Sequence, residues 1–446
     1  MKLIRLDKFC DFSISSLLAL MIMAFFGCDS DSSCKVQTDL KGEFKAVTCD
    51  SEPSATLSSM NFSGCGTGLI TEMLKSEDLY GETFTYTTEK NGYLSIIGLS
   101  SGAKDQGIVS YDYSALATIT TYPSTSGKEG MKVAIPTSIN ESNSDLEGNY
   151  LVAFYGNEPF TALSAMSFDG SGKGNYREIS SSAGDFLEGT LTYSLKADGS
   201  LAISFDNGRS MSGIMNSTSG LFNLFGSYHG EQNDEVGIGI RKDEDMHEGL
   251  LTGDYVAIDY TGGANSGLLK VSFDGNGSGT IVPFDDLTAG RESEALTYKV
   301  DEDGSLSITT GMGRVIKGIV SYDGTICTTA DTDSSDGEIG LSVYILEATW
   351  FEDNCLDRCE EEYTNDTEIE HCYEGCLSYM TWFQNNRKEL FGKKKKDKCD
   401  YAWRSYCYQF YYAKSFWSKA GAYAGYLISC LIFHCEAKGP FSCPTP

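Results

Sequence analysis

The chain has 446 residues, 41% of them apolar, enough for two to four domains with ordinary cores. Its 34 Lys plus Arg stand against 63 Asp plus Glu, and a net charge of −29 argues against binding DNA or RNA, which takes a cationic surface. His229, His247, His371 and His434 are scattered and leave little for histidine catalysis or histidine-rich metal sites, while 48 Gly, 49 Tyr plus Phe and only 8 Pro point to a mainly β chain of short strands and tight turns.

Residues 1–27 read as an export signal. Lys2, Arg5 and Lys8 form a basic start, and residues 14–26 form an apolar run of 13 residues, short of the ~20 that span a bilayer. The run ends in Phe25-Phe26-Gly27-Cys28, which resembles a bacterial lipobox. That resemblance implies lipidation of Cys28, a membrane anchor in the cell envelope and a polar tether over residues 28–37. Under the enteric sorting rule Asp29 implies inner-membrane retention; other phyla sort differently, so the leaflet stays open. A plain secretory signal cleaved nearby is the alternative.

Shifted by about 105 residues, the chain matches itself. Leu40-Lys41-Gly42-Glu43-Phe44 returns as Leu146-Glu147-Gly148-Asn149-Tyr150 and as Leu251-Thr252-Gly253-Asp254-Tyr255. Phe62-Ser63-Gly64, Phe168-Asp169-Gly170 and Phe273-Asp274-Gly275 keep the register, as do Thr85-Tyr86, Thr192-Tyr193 and Thr297-Tyr298, and Gly107-Ile108, Gly213-Ile214 and Gly318-Ile319. Three homologous units follow, over residues 38–140, 145–245 and 250–348. Within a unit the hydrophobic period is two, as in Leu268, Val271 and Phe273, then Leu306 and Ile308, then Leu341, Val343 and Ile345, giving about eight strands per unit.

The opening L-x-G-x-[FY] followed by an eight-strand meander resembles lipocalin and avidin barrels. It implies three tandem antiparallel up-and-down β-barrels, each with a lumen filled by side chains or by one small hydrophobic ligand. The competing architecture is a single six-bladed propeller over residues 38–348, two blades per unit; a half-repeat near 50 residues, which it requires, is not found.

Asp/Gly clusters such as Asp274-Gly275-Asn276-Gly277, Asp301-Glu302-Asp303-Gly304 and residues 331–338 invite a calcium reading. Counted from Asp331, an EF-hand loop would place Asp336 where Gly is needed and Ser342 where Glu is needed, so these clusters are read as turns. From residue 350 onward there are 12 basic and 14 acidic residues, which leaves 27 of the 29 excess negative charges on the β units. Charge of one sign is expected to keep the units soluble and apart, or to attract a cationic partner.

Ten of the 15 Cys lie from Cys327 onward. Cys355-x3-Cys359 and Cys372-x3-Cys376 each place two Cys on one helical face, so two antiparallel helices joined by Cys355–Cys376 and Cys359–Cys372 are expected. The arrangement resembles the disulfide-stapled helical hairpins of small secreted inhibitors and organellar import chaperones. Zinc is the competing use of paired Cys, and export to an oxidising compartment favours disulfides. Residues 350–446 thus form a cysteine-rich helical domain, with the basic run 393–396 in its middle. Cys49 and Cys65 occur only in the first unit, where the others have Tyr155 with Ser171 and Tyr260 with Asn276, and a local Cys49–Cys65 bridge is expected. With Cys28 lipidated, thirteen Cys remain, so one stays over.

No nucleophile elbow, Walker loop, dinucleotide fingerprint or H-E-x-x-H helix is present, and no carboxylate pair recurs across the units. The expectation is a non-catalytic envelope protein without cofactor or metal, tethered through Cys28, that binds a partner or serves as scaffold. Two alternatives stand beside it: carriage of a small hydrophobic ligand in the lumens, and an inhibitor or partner-binding role for the stapled tail.

Overall fold

Three closed antiparallel barrels of eight strands make up the β part of the protein. The computed structural model describes residues 40–50, 54–72, 81–121, 129–138, 140–156, 160–184, 186–226, 228, 235–261, 266–284, 293–332 and 339–347; toward the C-terminus it describes 355–356, 359–360, 363–364, 366–385, 399, 402–403, 406, 422–424 and 426. Barrel 1 comprises β1 (Lys41–Asp50), β2 (Ser54–Ser63), β3 (Thr67–Glu72), β4 (Gly81–Thr88), β5 (Tyr93–Gly98), β6 (Lys104–Val109), β7 (Leu116–Thr121) and β8 (Glu129–Pro136). Barrel 2 comprises β9 (Gly148–Gly156), β10 (Phe160–Phe168), β11 (Lys173–Ser181), β12 (Glu188–Leu195), β13 (Ser200–Phe205), β14 (Ser210–Asn216), β15 (Leu221–Gly226) and β16 (Glu235–Arg241). Barrel 3 comprises β17 (Thr252–Tyr260), β18 (Gly267–Asp274), β19 (Ser278–Pro283), β20 (Glu294–Val300), β21 (Ser305–Thr310), β22 (Val315–Val320), β23 (Ile326–Asp331) and β24 (Gly340–Leu346). Every strand pairs with its sequence neighbours, and the first of each set pairs with the eighth. Closure leaves no edge exposed, and the six-bladed propeller is not formed.

The sequence markers turn out to be one closing device used three times. Tyr86, Tyr193 and Tyr298, each in its barrel's fourth strand, donate their N–H to the carbonyls of Gly66, Gly172 and Gly277 at 2.8, 2.9 and 2.8 Å. Their phenols reach back to the carbonyls of Leu40 at 2.6 Å, Asn143 at 3.3 Å and Leu251 at 2.9 Å, tying the fourth strand to the chain that enters the first. Each Tyr also meets the Phe of the Phe-x-Gly turn edge to face, at 4.9, 5.0 and 4.9 Å for Phe62, Phe168 and Phe273. These rings plug one end of each lumen. The repeated Gly107, Gly213 and Gly318 are required for a different reason: a Cβ there would lie 2.0, 1.8 and 2.0 Å from the carbonyl oxygens of Ala117, Asn223 and Thr328 on the next strand.

Burial along the first strands does not alternate, because both faces are covered. In β9, Tyr150, Val152 and Phe154 point into the lumen with Phe168, Tyr193 and Phe222. Leu151, Ala153 and Tyr155 point outward into a second apolar cluster shared by all three barrels. Val47 and Ile135 of barrel 1, Ile238 and Ile240 of barrel 2, and Val256, Ile258 and Val343 of barrel 3 belong to that cluster.

The contacts that build this seam are cyclic. Strands β1, β2 and β8 of barrel 1 lie against β14, β15 and β16 of barrel 2; β9 and β10 lie against β22, β23 and β24 of barrel 3; and β17 lies against β6, β7 and β8 of barrel 1. One heterologous contact is thus used three times and closes on itself, as in a cyclic trimer. Polar links reinforce it. Asn223 Nδ2 donates to the carbonyls of Val133 at 3.0 Å and Lys45 at 3.3 Å, Thr161 Oγ1 donates to the Asp331 carbonyl at 2.5 Å, and the Tyr93 hydroxyl donates to Glu347 at 2.7 Å. Excess negative charge therefore does not hold the units apart. Apolar burial joins them, and Lys45, paired with Asp198 at 3.3 Å, is one of the few charges at the junction.

The Cys49–Cys65 bridge is not formed. Strand pairing sets Cys49 opposite Ala55 at one end of the β1–β2 hairpin, while Cys65 lies in the β2–β3 turn beyond Ser63, which faces Lys41 at the other end. Eight residues of strand, about 26 Å, separate the two levels, against the 4.4–6.8 Å between Cα atoms that a disulfide needs. Cys65 is disulfide-bonded. Cys49 is a buried thiol at the register position held by Tyr155 and Tyr260 in the sister barrels. Those two rings meet in the seam at 5.0 Å, and burial together with the nearby Cys49 thiol raises the Tyr155 phenol pKa well above its ordinary value. A small third residue fits beside two tyrosines.

In the tail, Cys355–Cys376 and Cys359–Cys372 are disulfides, each with Cα atoms 5.8 Å apart. Cys372 and Cys376 share one face of α1 (Asp366–Asn385), and Cys355 and Cys359 lie in helical backbone. The four buried Cys join Tyr379, Trp403, Tyr406 and Tyr426 in an apolar cluster continuous with the barrel 3 lumen. Cys399 is also disulfide-bonded. The signal, the tether and Cys28 lie outside the described residues.

Two outcomes test the seam. Calorimetric unfolding of the full chain should show the three barrels melting together, because none can leave without exposing the shared cluster. Cys49→Tyr, which places a third ring where two already meet, should cost about 1–3 kcal/mol in urea unfolding, whereas Cys49→Ala should cost less.

Candidate functional site

On the outer wall of barrel 2, where its chain passes into barrel 3, lies a cleft of about 580 Å³, within the size range of small-molecule sites. Three strands and the linker build it. β9 contributes Gly148, Asn149 and Tyr150, β10 contributes Ala165 to Ser167, and β11 contributes Asn175 to Arg177; residues 241–244 and Asp303 of the β20–β21 turn complete the rim. Alternation along β10 and β11 turns Ser167, Asn175 and Arg177 outward while Met166 and Tyr176 face the lumen, so the open wall is polar.

The cations sit along one side. The Lys242 N–H donates to the Asn149 carbonyl at 2.8 Å, fixing the linker on β9, and Lys242 Nζ pairs with Asp303 at 2.5 Å. Burial would raise the Asp303 pKa, but hydrogen bonds from Lys242 and Ser305 outweigh it and hold the carboxyl below its ordinary range. Arg241 lies over Gly148: a Cβ there would come within 3.1 Å of Nε and Nη2, so the glycine of the repeated L-x-G-x-[FY] signature leaves room for the guanidinium. Strand pairing equates Arg241 with Pro136 in barrel 1 and Leu346 in barrel 3, since these face Tyr150, Phe44 and Tyr255 respectively. The cation side is a feature of one barrel in three. Arg177 and Arg241 line the cleft and can hold an anionic or hydrogen-bond-accepting group there.

Barrel 2 also buries two carboxylates inside one end of its lumen. Glu178 accepts the Leu187 N–H at 3.0 Å, and Glu235 accepts the Tyr228 N–H. Burial is the main reason the Glu178 pKa is pushed up to about 7; the Leu187 hydrogen bond and Arg209 oppose the shift, and the charge of Glu235 adds to it.

Sequence expectations meet this geometry unevenly. The Asp/Gly clusters are turns: Asp274 accepts the N–H groups of Asn276 at 2.7 Å and Ser278 at 2.9 Å, and Asp303 accepts that of Ser305 at 3.0 Å. Among the described residues no group of His, Cys, Asp and Glu is arranged to hold a metal, and no helix is long and apolar enough to cross a membrane. The Cys pairs of the tail lie together, away from the cleft residues in sequence and element. The sequence does not single out Arg177, Arg241 and Lys242, because each occurs in one unit only and the repeat alignment draws attention to what is shared. The departure of Arg241 from Pro136 and Leu346 was the available signal.

Fold and cleft together define a protein of three fused eight-stranded barrels with a disulfide-stapled helical tail. No family model and no curated protein matches the chain. Among solved structures it is similar to a mutant of the vaccine antigen transferrin-binding protein B from Haemophilus parasuis, at 9% identity over 69% of this chain and 76% of that one, with a TM-score of 0.24. It is also similar to the H. pylori β clamp in complex with 5-chloroisatin, at 7% identity over 75% and 97%, with a TM-score of 0.11. Superpositions this loose carry no weight for fold or function.

The buried carboxylate gives a pH test. With a folded pKa near 7 against an ordinary 4.5, Glu178 is neutral in the folded protein where the unfolded chain has already ionised it. Its contribution favours folding at acid pH and is lost as pH rises through 7. Glu178→Gln should therefore melt higher than the parent above pH 7 and at nearly the same temperature at pH 4, as read by thermal scans across that range.

Proposed function

We propose that the chain is a non-catalytic binding protein of the bacterial cell envelope, held to a membrane by a lipid on Cys28. The seamed barrels act as a stiff head, and the barrel 2 cleft receives an anionic group of a partner. The observation that carries this reading is that Arg177 and Arg241 both line a cleft of about 580 Å³ on a β region that otherwise bears the acidic excess. A non-catalytic role is supported by the engagement of the cleft's groups with one another: Lys242 is held by Asp303, and Asp243 accepts the Glu244 N–H at 2.8 Å. Carriage of a hydrophobic ligand is less well supported, because Phe154 stacks on Tyr228 at 4.1 Å and Tyr150, Phe168 and Phe222 pack together inside barrel 2, taking the space that cargo would need. A binding role for the tail is weakened by its buried aromatics, which pack on one another, with Trp403 5.3 Å from Tyr426.

Two experiments address the two parts of the proposal. Cys28→Ala should move the protein from membrane to soluble fractions of the expressing cell, and unchanged membrane recovery would remove the anchor. Partner capture from envelope extracts should drop at least about tenfold with Arg177→Glu, the equivalent of one lost charge-assisted contact, and persist when residues 350–446 are deleted. Loss on deletion with retention in Arg177→Glu would place binding in the tail.

A further inference from the structure

Cys65 is disulfide-bonded, while Cys49 and Cys327 are buried thiols and the four stapling cysteines of the tail are paired with one another. What Cys65 joins is decided by the chain that passes its turn. In barrel 1 one hydroxyl marks that chain. Tyr86 Oη accepts the Gly64 N–H at 2.9 Å and donates to the Leu40 carbonyl at 2.6 Å, so the residue before Cys65 and the entry into β1 share a single hydrogen-bonding partner. Cys65 itself is half-buried, and its N–H donates to the Ser63 hydroxyl at 3.0 Å.

The sister barrels show where an entering chain runs ahead of that point. Their turns carry Ser171 and Asn276 in place of Cys65. In barrel 2 a short 3-10 turn over Asn143–Leu146 lies against the Phe-x-Gly turn. A Cβ on Gly172 would stand 3.3 Å from Asn143 Nδ2, and Asn143 Oδ1 accepts the Leu195 N–H at 2.8 Å. Barrel 3 repeats this over Glu248–Leu250: a Cβ on Gly275 would stand 3.8 Å from the Gly249 Cα, and the Gly275 N–H donates to the Leu251 carbonyl at 3.0 Å. In both copies the residues just ahead of the signature leucine cover the turn. The repeat register equates Asn143 with Gln37, three residues after Cys34. Three residues reach about 10 Å at full extension, enough to bring the two Cys to the roughly 4.4–6.8 Å between Cα atoms that a disulfide needs. Barrel 1 also has less to hold this turn with. Asp169 accepts the N–H groups of Ser171 at 2.8 Å and Lys173 at 2.9 Å, whereas barrel 1 has the neutral Ser63 hydroxyl in that place.

We propose that Cys34 and Cys65 form a disulfide that staples the tether to the plugged end of barrel 1. The two thiols lose two protons and two electrons, and the electrons pass by thiol–disulfide exchange to the disulfide of an oxidoreductase in the export compartment. The covalent link does in barrel 1 what the inter-barrel linkers do in barrels 2 and 3, where a preceding barrel holds the entering chain in place. One consequence rests on the lipid anchor proposed above. Six residues, about 20 Å fully extended, run from Cys28 to Cys34, whereas twelve run from Cys28 to Leu40, so the staple halves the leash. The plugged end of barrel 1 is then the end held toward the membrane.

The test is peptide mapping by mass spectrometry of the full chain, exported by its own signal, alkylated and then digested without reduction. The Cys34 and Cys65 peptides should appear as one linked species that separates on reduction, both in the parent and in Cys28→Ala. Cys34→Ser should convert Cys65 from fully linked to fully alkylated, and Cys65→Ser should do the same to Cys34. Should either variant fail to accumulate, the parent map decides alone. Linkage of Cys65 to Cys399, Cys407, Cys430, Cys435 or Cys443, or an alkylated Cys65 in the parent, overturns the proposal. Linkage of Cys65 to Cys28 overturns both the staple and the anchor. A Cys34–Cys65 link together with unchanged membrane recovery of Cys28→Ala upholds the staple and removes the anchor alone.

Discussion

Every barrel-opening strand in this protein has to satisfy two cores at once. In β9 the even-numbered residues Tyr150, Val152 and Phe154 fill a lumen while Leu151 and Tyr155 fill the seam between barrels. A one-residue slip would exchange the two sets, sending lumen residues into the seam and seam residues into the lumen. Register in the first and last strands is therefore fixed from both sides. The strands on the far side of each barrel, such as β11 with its pattern of alternating exposed and buried residues, answer to the lumen alone.

The seam explains features that look unrelated along the chain. Because the contact is heterologous and used three times, each barrel presents different surfaces to its two neighbours, and the cycle closes only with three. Equivalent positions then converge near the centre, and they cannot all be large. Tyr155 and Tyr260 pack there and Cys49 is the small third, so a residue that resembles half of a disulfide is a packing solution. Asn223, with a side chain that reaches two carbonyls of barrel 1, is a similar case of one copy specialising where strict threefold repetition is not needed.

Specialisation extends to the interiors and the outer walls. Aromatic rings close one end of every lumen in the same way, through Tyr86, Tyr193 and Tyr298, and so the ends carrying this device are shared. Elsewhere the copies diverge. Barrel 1 buries Lys132 against Asp105, barrel 2 buries Glu178 near Glu235, and barrel 3 holds Arg314 against Asp331. Barrel 2 alone places Arg241 over the signature glycine. A triplicated scaffold can change one copy while the other two hold the fold, and the divergent positions are where function is to be sought.

The sequence alone determined the number of units, their eight-strand meander and the two disulfides of the tail. Period-two alternation, recurring Gly and Tyr, and four-residue Cys spacing are local signals that depend on backbone geometry and little on neighbours. It did not show which side of a strand faced a lumen and which faced another barrel. Leu306 and Leu341 look alike in sequence, yet the first lies in the barrel 3 lumen and the second in the seam. Nor did it show that Arg177, Arg241 and Asp303, more than a hundred residues apart at the extremes, line one cleft. Those assignments rest on how three closed barrels pack together, a long-range arrangement of apolar surface that no local spacing encodes.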